Sequence, residues 1–156
     1  MGNITRVFAD HYQFYLYDSS FDHYSDERLS WTDGNKNEYG YLSVEKAIYV
    51  STVAGLNDHR VRFFIEGSPT KDYERNFESI IEVPSEKLVL SAPANMDEDD
   101  FILSLSAGKY KVLICSNSVG KDMFSYEHEY DEDMDDIEYF KHDEFEYYDI
   151  FLTKIT

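Results

Sequence analysis

Positive charge is what this sequence most lacks. Only 14 Lys and Arg stand against 32 Asp and Glu, which leaves a formal net charge of −18 over 156 residues. A net charge of magnitude about 2–8 already keeps a small domain soluble, and a larger excess opposes compaction through self-repulsion. An excess of this size is therefore expected to serve a partner. Nucleic acid and anionic membrane are excluded, because phosphates repel such a surface; a basic protein or cations remain. Cysteine is nearly absent too. Cys115 stands alone in an apolar run, so no intrachain disulfide can form and a buried structural thiol is expected. No apolar run nears the roughly 18 residues of a membrane helix. Residues 1–12 hold one Arg and no long apolar stretch, so no secretory signal is read there and a cytoplasmic location is expected.

Catalytic signatures are missing as well. His11, His23, His59, His128 and His142 form no His-x-His, HExxH or Cys/His pattern, which speaks against zinc. No nucleophile elbow and no Gly-rich phosphate loop occurs. Carboxylate pairs for glycosidase chemistry can be drawn from 32 acids in too many ways to be informative. Neither enzymatic activity nor a cofactor is expected.

Apolar and aromatic side chains, in contrast, are plentiful. They make up 42% and 17% of the chain, whereas disordered segments combine high charge with few aromatics. Residues 1–156 are read as one domain with a real core. Period-two alternation dominates, as at 12–17, 60–66 and 77–83; 47–53 is β-branched and aromatic, as strands prefer, and 88–90, 101–105, 109–115 and 147–155 read as further strands. In 77–83, Phe77, Ser79, Ile81 and Val83 oppose Glu78, Ile80 and Glu82, and Pro84 closes the strand. Ser106-Ala107-Gly108 reads as a compact hairpin turn with positive φ at the glycine. Residues 43–46 read as a turn before the second strand, and 131–140 as a possible short helix strained by its own acids. The expected fold is an all-β, antiparallel β-sandwich with an acidic insertion at 121–146.

That insertion is the most distinctive stretch. Between residues 122 and 149 stand 13 acids and one base, Lys141, a net −12. Charge runs are commonly solvated loops. Here Phe124, Tyr126, Tyr130, Tyr139, Phe140 and Phe145 are interleaved, and Tyr beside carboxylates is the composition of an interface. Spaced carboxylates can also imitate a phosphate backbone and attract a basic nucleic-acid-binding groove. Asp97-Glu98-Asp99-Asp100 and the acids of 131–136 offer oxygen ligands for calcium, but neither has the Gly-bearing spacing of an EF-hand loop. Trp31-Thr32-Asp33 reads either as a cover for one end of the sandwich with a turn at Asp33-Gly34 or as a binding hot spot.

Several of these segments resemble the competence protein J (ComJ) family. The similarity lies in His11-Tyr12-Gln13-Phe14-Tyr15-Leu16-Tyr17, Trp31-Thr32-Asp33, Gly40-Tyr41 and Ala47-Ile48-Tyr49-Val50. It continues in the stretch from Leu103 to Tyr110 and in Tyr148-Asp149-Ile150-Phe151. Residues 121–146 and 19–28 depart from the family pattern by their length. The resemblance implies a nuclease inhibitor or immunity protein, bacterial and tied to competence, and it carries over no binding residue. The expected function is thus a non-catalytic inhibitor that binds a basic nuclease, a DNase toxin or a nuclease of DNA uptake. Its expected contacts are Trp31 and Asp33 in one patch, and Tyr126, Asp131, Glu132, Asp133, Asp135, Asp136 and Tyr139 in another. A calcium-dependent β-sandwich binding module is the alternative.

Overall fold

Ten strands follow one another in the computed structural model, which describes residues 3–8, 13–30, 40–52, 58–93, 100–118 and 146–156. They are β1 (Asn3–Phe8), β2 (Gln13–Asp18), β3 (Tyr41–Val44), β4 (Ala47–Ser51), β5 (Asp58–Ile65), β6 (Arg75–Val83), β7 (Lys87–Ser91), β8 (Phe101–Ser104), β9 (Gly108–Ser118) and β10 (Glu146–Lys154). The first sheet has the order β1-β5-β10-β9-β6 and the second β3-β4-β2-β7-β8. The expected β-sandwich is present, with one correction to its antiparallel character. β10 runs parallel to β5, with Tyr147 beside Arg60 and Asp149 beside Arg62. Four strands separate the two in sequence, so no hairpin constrains their relative direction.

The sequence alternation sorts side chains between an inner and an outer face. Phe14 and Leu16 of β2, Ile48 and Val50 of β4, and Leu88 and Leu90 of β7 line the second sheet's inner face. They meet Val61, Phe63, Ile81, Val112, Ile114, Ile150 and Leu152 of the first in one continuous core. Each such side chain contributes about 1.5–3 kcal/mol by leaving water. Cys115 is fully buried on the opposite, outer face. Burial first, and Asp149 second, push its thiol up to about 11, which suits an inert structural thiol.

Three readings need correction. The eight expected strands missed β1 and β3, both edge strands. Residues 45 and 46 do turn, but as the tip of a β3–β4 hairpin in which Val44 pairs with Ala47. Ser106-Ala107-Gly108 is not a hairpin: β8 pairs with β7, while β9 pairs with β6 and β10. The segment instead carries the chain from one sheet to the other. Gly108 does have a positive φ of 155°, and a Cβ there would run into the Thr156 carbonyl. The expected short helix at 131–140 lies outside the described residues.

The second sheet's outer face is also covered. Residues 19–30 leave β2, form 3-10 turns at His23–Ser25 and Glu27–Leu29, and lay Phe21 and Leu29 on Tyr15, Tyr17, Ala47 and Tyr49. Every residue of β4 is therefore buried. The chain turns into this cover at Asp18, a carboxylate with no exposed surface. It accepts hydrogen bonds from the backbone N–H of Ser20 (3.0 Å) and of Ser85 (3.0 Å) and from both serine hydroxyls. Burial alone would raise its pKa, but those bonds outweigh it and hold the carboxyl below its ordinary value.

Candidate partner-binding end

The register of the strands gathers several segments at one end of the sandwich. In the first sheet β9 finishes where β10 starts, Ser118 beside Glu146. β6 starts there too, with Arg75 beside Ser116, as does β5, whose Asp58 lies beside Phe8 at the end of β1. In the second sheet Gln13 pairs with Ser51, Tyr41 with Val50, Ser91 with Tyr15 and Phe101 with Leu90. Arg75 ties the two sheets together at this end, its Nη2 donating to the Ser51 carbonyl at 2.9 Å and its Nη1 to the Tyr148 hydroxyl at 3.3 Å. Gly40, with φ of +77°, turns the chain into β3 here, where a Cβ would lie 2.6 Å from Phe77 Cζ. Segments 9–12, 53–57, 94–99 and 119–145 therefore all join strand ends at this one end, and 31–39 leads into β3 there.

Charge follows the same division. Those five segments hold 17 of the 32 acids and three of the 14 bases, a net −14 out of −18. The remaining residues, strands included, are close to balanced at −4. Trp31, Asp33, Tyr126, Asp131, Glu132, Asp133, Asp135, Asp136 and Tyr139 lie outside the described residues. The described strands do place the roots of both segments that contain them, 31–39 and 119–145, at a common end.

Sequence reasoning missed a network on the first sheet's outer face. Because β5 and β6 are separated by β10 and β9, their connection crosses that face, and its side chains latch onto it. Asp149 of β10 is buried, and its carboxylate takes two hydrogen bonds from Arg62 of β5, from Nε and Nη2, both 2.7 Å. Tyr73 of the crossing segment donates a third at 2.6 Å. One row along, Lys71 Nζ (2.8 Å) and Asn117 Nδ2 (3.1 Å) donate to the Tyr147 hydroxyl, and Arg60 lies over the same ring at 4.9 Å from its centroid. Burial pushes the Asp149 carboxyl up, but the hydrogen bonds from Arg62 and Tyr73, with the Arg62 and Lys71 charges, bring it below its ordinary value. In sequence Asp149 counts among the acids of 122–149; in the fold it is internally neutralised and presents nothing to a partner.

A pH dependence follows. A carboxyl whose folded pKa is depressed contributes stability that is present above its unfolded pKa of about 3.9 and is lost as pH falls through the folded value. The stability gap between the native chain and Asp149→Asn should be constant from about pH 7 to about pH 5 and shrink below about pH 4. Urea melts at several pH values measure it; a gap that persists unchanged at pH 3 would mean that the fold does not depress the Asp149 pKa.

On the second sheet, His23 is packed between Tyr17 and Tyr24. Both ring centroids lie 4.0 Å from its own, at tilts of 32° and 36°, spacings that place the two tyrosines on opposite faces of the imidazole. His23 Nδ1 is 2.6 Å from the Tyr49 hydroxyl. Burial holds the imidazole below its ordinary pKa, against the pull of Asp22 and Asp100, so the ring is neutral at pH 7. Next to it opens a cleft of about 350 Å³ that reaches Gln13 and Ser30, and so meets the acidic end just before Trp31. Among the described residues no three His, Cys, Asp or Glu side chains converge as metal ligands do; Asp100 instead accepts from the Ser91 hydroxyl at 2.6 Å.

These strands are arranged as in a solved structure. The crystal structure of ComJ, inhibitor of the DNA degrading activity of NucA, from Bacillus subtilis, superposes with a TM-score of 0.71, covering 99% of this chain and 98% of that one at 15% identity. The chain has a ComJ-like fold. The crocagin biosynthetic gene J protein is a more distant neighbour, with a TM-score of 0.51 and 14% identity over 96% of this chain and 94% of that one. No protein-family model matches the sequence, and neither does any curated protein. At such identities the ComJ likeness is one of fold, consistent with the sequence resemblance noted above, and the charged end is characterised by this chain's own residues.

Proposed function

We propose that this chain is a non-catalytic inhibitor or immunity protein that binds and neutralises a basic nuclease through its acidic end. The observation that carries the reading is the concentration of −14 of the −18 charges in segments rooted at one end of a ComJ-like sandwich. A DNase binds a polyanion, so its substrate groove is basic and focuses field toward negative ligands. A carboxylate array in segments rooted at one end of a sandwich competes for that groove as the DNA backbone does. Attraction of this kind supplies encounter rate and orientation, while aromatic anchors supply residence time. Trp31 and Asp33, with Tyr126, Asp131, Glu132, Asp133, Asp135, Asp136 and Tyr139, are the residues proposed to make the contact. No catalytic role is assigned to this chain. In this reading it acts by binding alone.

The test uses a purified basic DNase, the product of the neighbouring gene where that gene encodes one. Addition of the purified chain should block DNA degradation at a one-to-one ratio, and the apparent affinity should fall steeply with salt. Undiminished degradation at a tenfold excess would refute the inhibitor reading. Calorimetry with calcium discriminates the alternative: micromolar calcium affinity that is lost in Asp131→Ala or Asp133→Ala would replace this reading with a calcium-dependent module.

A further inference from the structure

The cleft beside His23 has no role in the fold's core and none in the acid array. It is walled by Gln13, Tyr15, Tyr24, Glu27, Ser30 and Tyr49, with Asp26 at its margin. Its volume is at the low end for a binding pocket, about 300–1,000 Å³, which fits one long side chain better than a large ligand. Tyr24 is 69% exposed, the most exposed large apolar side chain among the described residues. It is nonetheless held in place, stacked on His23 and set edge-on to Tyr15 at 6.1 Å. An immobilised ring with one open side is a preorganised platform, since little rotamer freedom is left to lose on binding.

We propose that this cleft takes an arginine side chain of the basic partner, a proposal that rests on the reading of this end as the site of a basic protein. Three observations converge on a guanidinium. The Tyr17–His23–Tyr24 stack offers a face on which a planar cation can lie, and arginine, being weakly hydrated and flat, uses such faces better than lysine. The wall is acidic: Glu27 lines the cleft beside Asp26, and Asp22 lies in the same turn. Asp26 already demonstrates the local fit, since Arg28 grips it through Nε at 3.0 Å and Nη2 at 2.7 Å. Finally, His23 is 3% exposed and its Nε2 has no hydrogen-bond partner among the described residues. Buried polar atoms are nearly always satisfied. Nδ1 faces the Tyr49 hydroxyl at 2.6 Å; in the tautomer whose Nδ1–H donates to that hydroxyl, Nε2 carries the lone pair that an N–H donor would satisfy. The neutral imidazole puts no positive charge behind the platform to repel the incoming cation.

The experiment needs no nuclease. N-acetyl-arginine amide and N-acetyl-lysine amide are titrated separately into the full chain at pH 7 and fixed salt, and the ring resonances of Tyr24 and His23 are followed by NMR. The arginine probe should shift both resonances saturably, at about three- to fivefold lower concentration than the lysine probe, the margin a cation–π contact gives at an exposed site. Tyr24→Leu should abolish the preference, and Glu27→Lys should abolish the shifts altogether. Both positions are on the surface cover rather than in the main core, and a one-dimensional spectrum verifies the fold of each variant. Equal response to the two probes, no saturable shift, or a preference that survives Tyr24→Leu would overturn the proposal. Saturating, arginine-selective shifts in a chain that fails to inhibit the nuclease would uphold the cleft and refute only the inhibitor reading.

Discussion

Asp149→Ala should cost this protein about 3 kcal/mol of stability, the scale seen when one partner is removed from a buried ion pair. The loss has three parts. Arg62, only 29% exposed in its side chain, keeps its charge and loses both short hydrogen bonds. Tyr73 loses its acceptor, and with it the latch that holds the β5–β6 crossing segment to the sheet. The row Arg62–Asp149–Cys115 is left with a polar gap across three central strands. At about 2–4 °C per kcal/mol for a chain of this size, the melting temperature should fall by about 6–12 °C. Tyr73→Phe removes a single hydroxyl and should cost about 1 kcal/mol. Calorimetric melts of the two variants check both figures. Equal and small losses would show that the crossing segment is held by packing alone.

Changing Asp131, Glu132, Asp133, Asp135 and Asp136 together to Asn or Gln should cut the association rate with the nuclease by about tenfold or more at low salt. The effect should narrow as ionic strength rises, because the Debye length is only about 8 Å at 0.15 M. Dissociation should change little. Tyr126→Ala and Tyr139→Ala should do the opposite, raising the dissociation rate while leaving encounter intact. None of these changes touches a described strand, since pairing of β9 with β10 ends at Ser118 and Glu146; all variants should therefore melt as the native chain does. Stopped-flow binding at two salt concentrations separates the rates. An unchanged association rate in the neutralised variant would shift the contact to the Trp31 segment and the cleft beside it.

Much of the sandwich was legible because burial on one side imposes period two. The partition of 77–83 into Phe77, Ser79, Ile81 and Val83 against Glu78, Ile80 and Glu82 matches the inner and outer faces of β6, and Pro84 follows its last residue. β4 was legible for a different reason: buried on both faces, it reads as the β-branched and aromatic run Ala-Ile-Tyr-Val. Two of the four edge strands, β1 and β3, were not legible. β3 has four residues and one buried side chain, too short for alternation to register, and β1 pairs with β5 alone. Gly108 signalled a bend correctly but carries no information on which sheet receives the chain next. The network around Asp149 was hidden because its members come from 62, 73 and 149, and only the parallel register of β5 and β10 sets them side by side. In a chain with 32 acids, nothing local distinguishes Asp149 or Asp18, the two buried carboxylates among the described residues. His23 likewise looked like a lone polar residue in a turn-rich stretch until the tyrosines of β2 and β4 closed around it.

The pairing of Ser118 with Glu146 has a consequence for how such a protein can change its target. Directly opposed residues in an antiparallel ladder sit about 5 Å apart, so the 27 residues between them leave and re-enter the sandwich through adjacent strands. A segment rooted this way behaves as a cassette. The entropy of closing it grows only with the logarithm of its length, and doubling that length costs about 0.6 kcal/mol, against a total stability of about 5–15 kcal/mol for an ordinary domain. Replacement, lengthening or recharging of the segment is thus nearly free to the scaffold, while every such change rewrites the surface offered at the acidic end. Under the proposed function, a lineage of sandwiches built on this plan follows a diverging family of nucleases by exchanging one stretch of chain and keeping the rest.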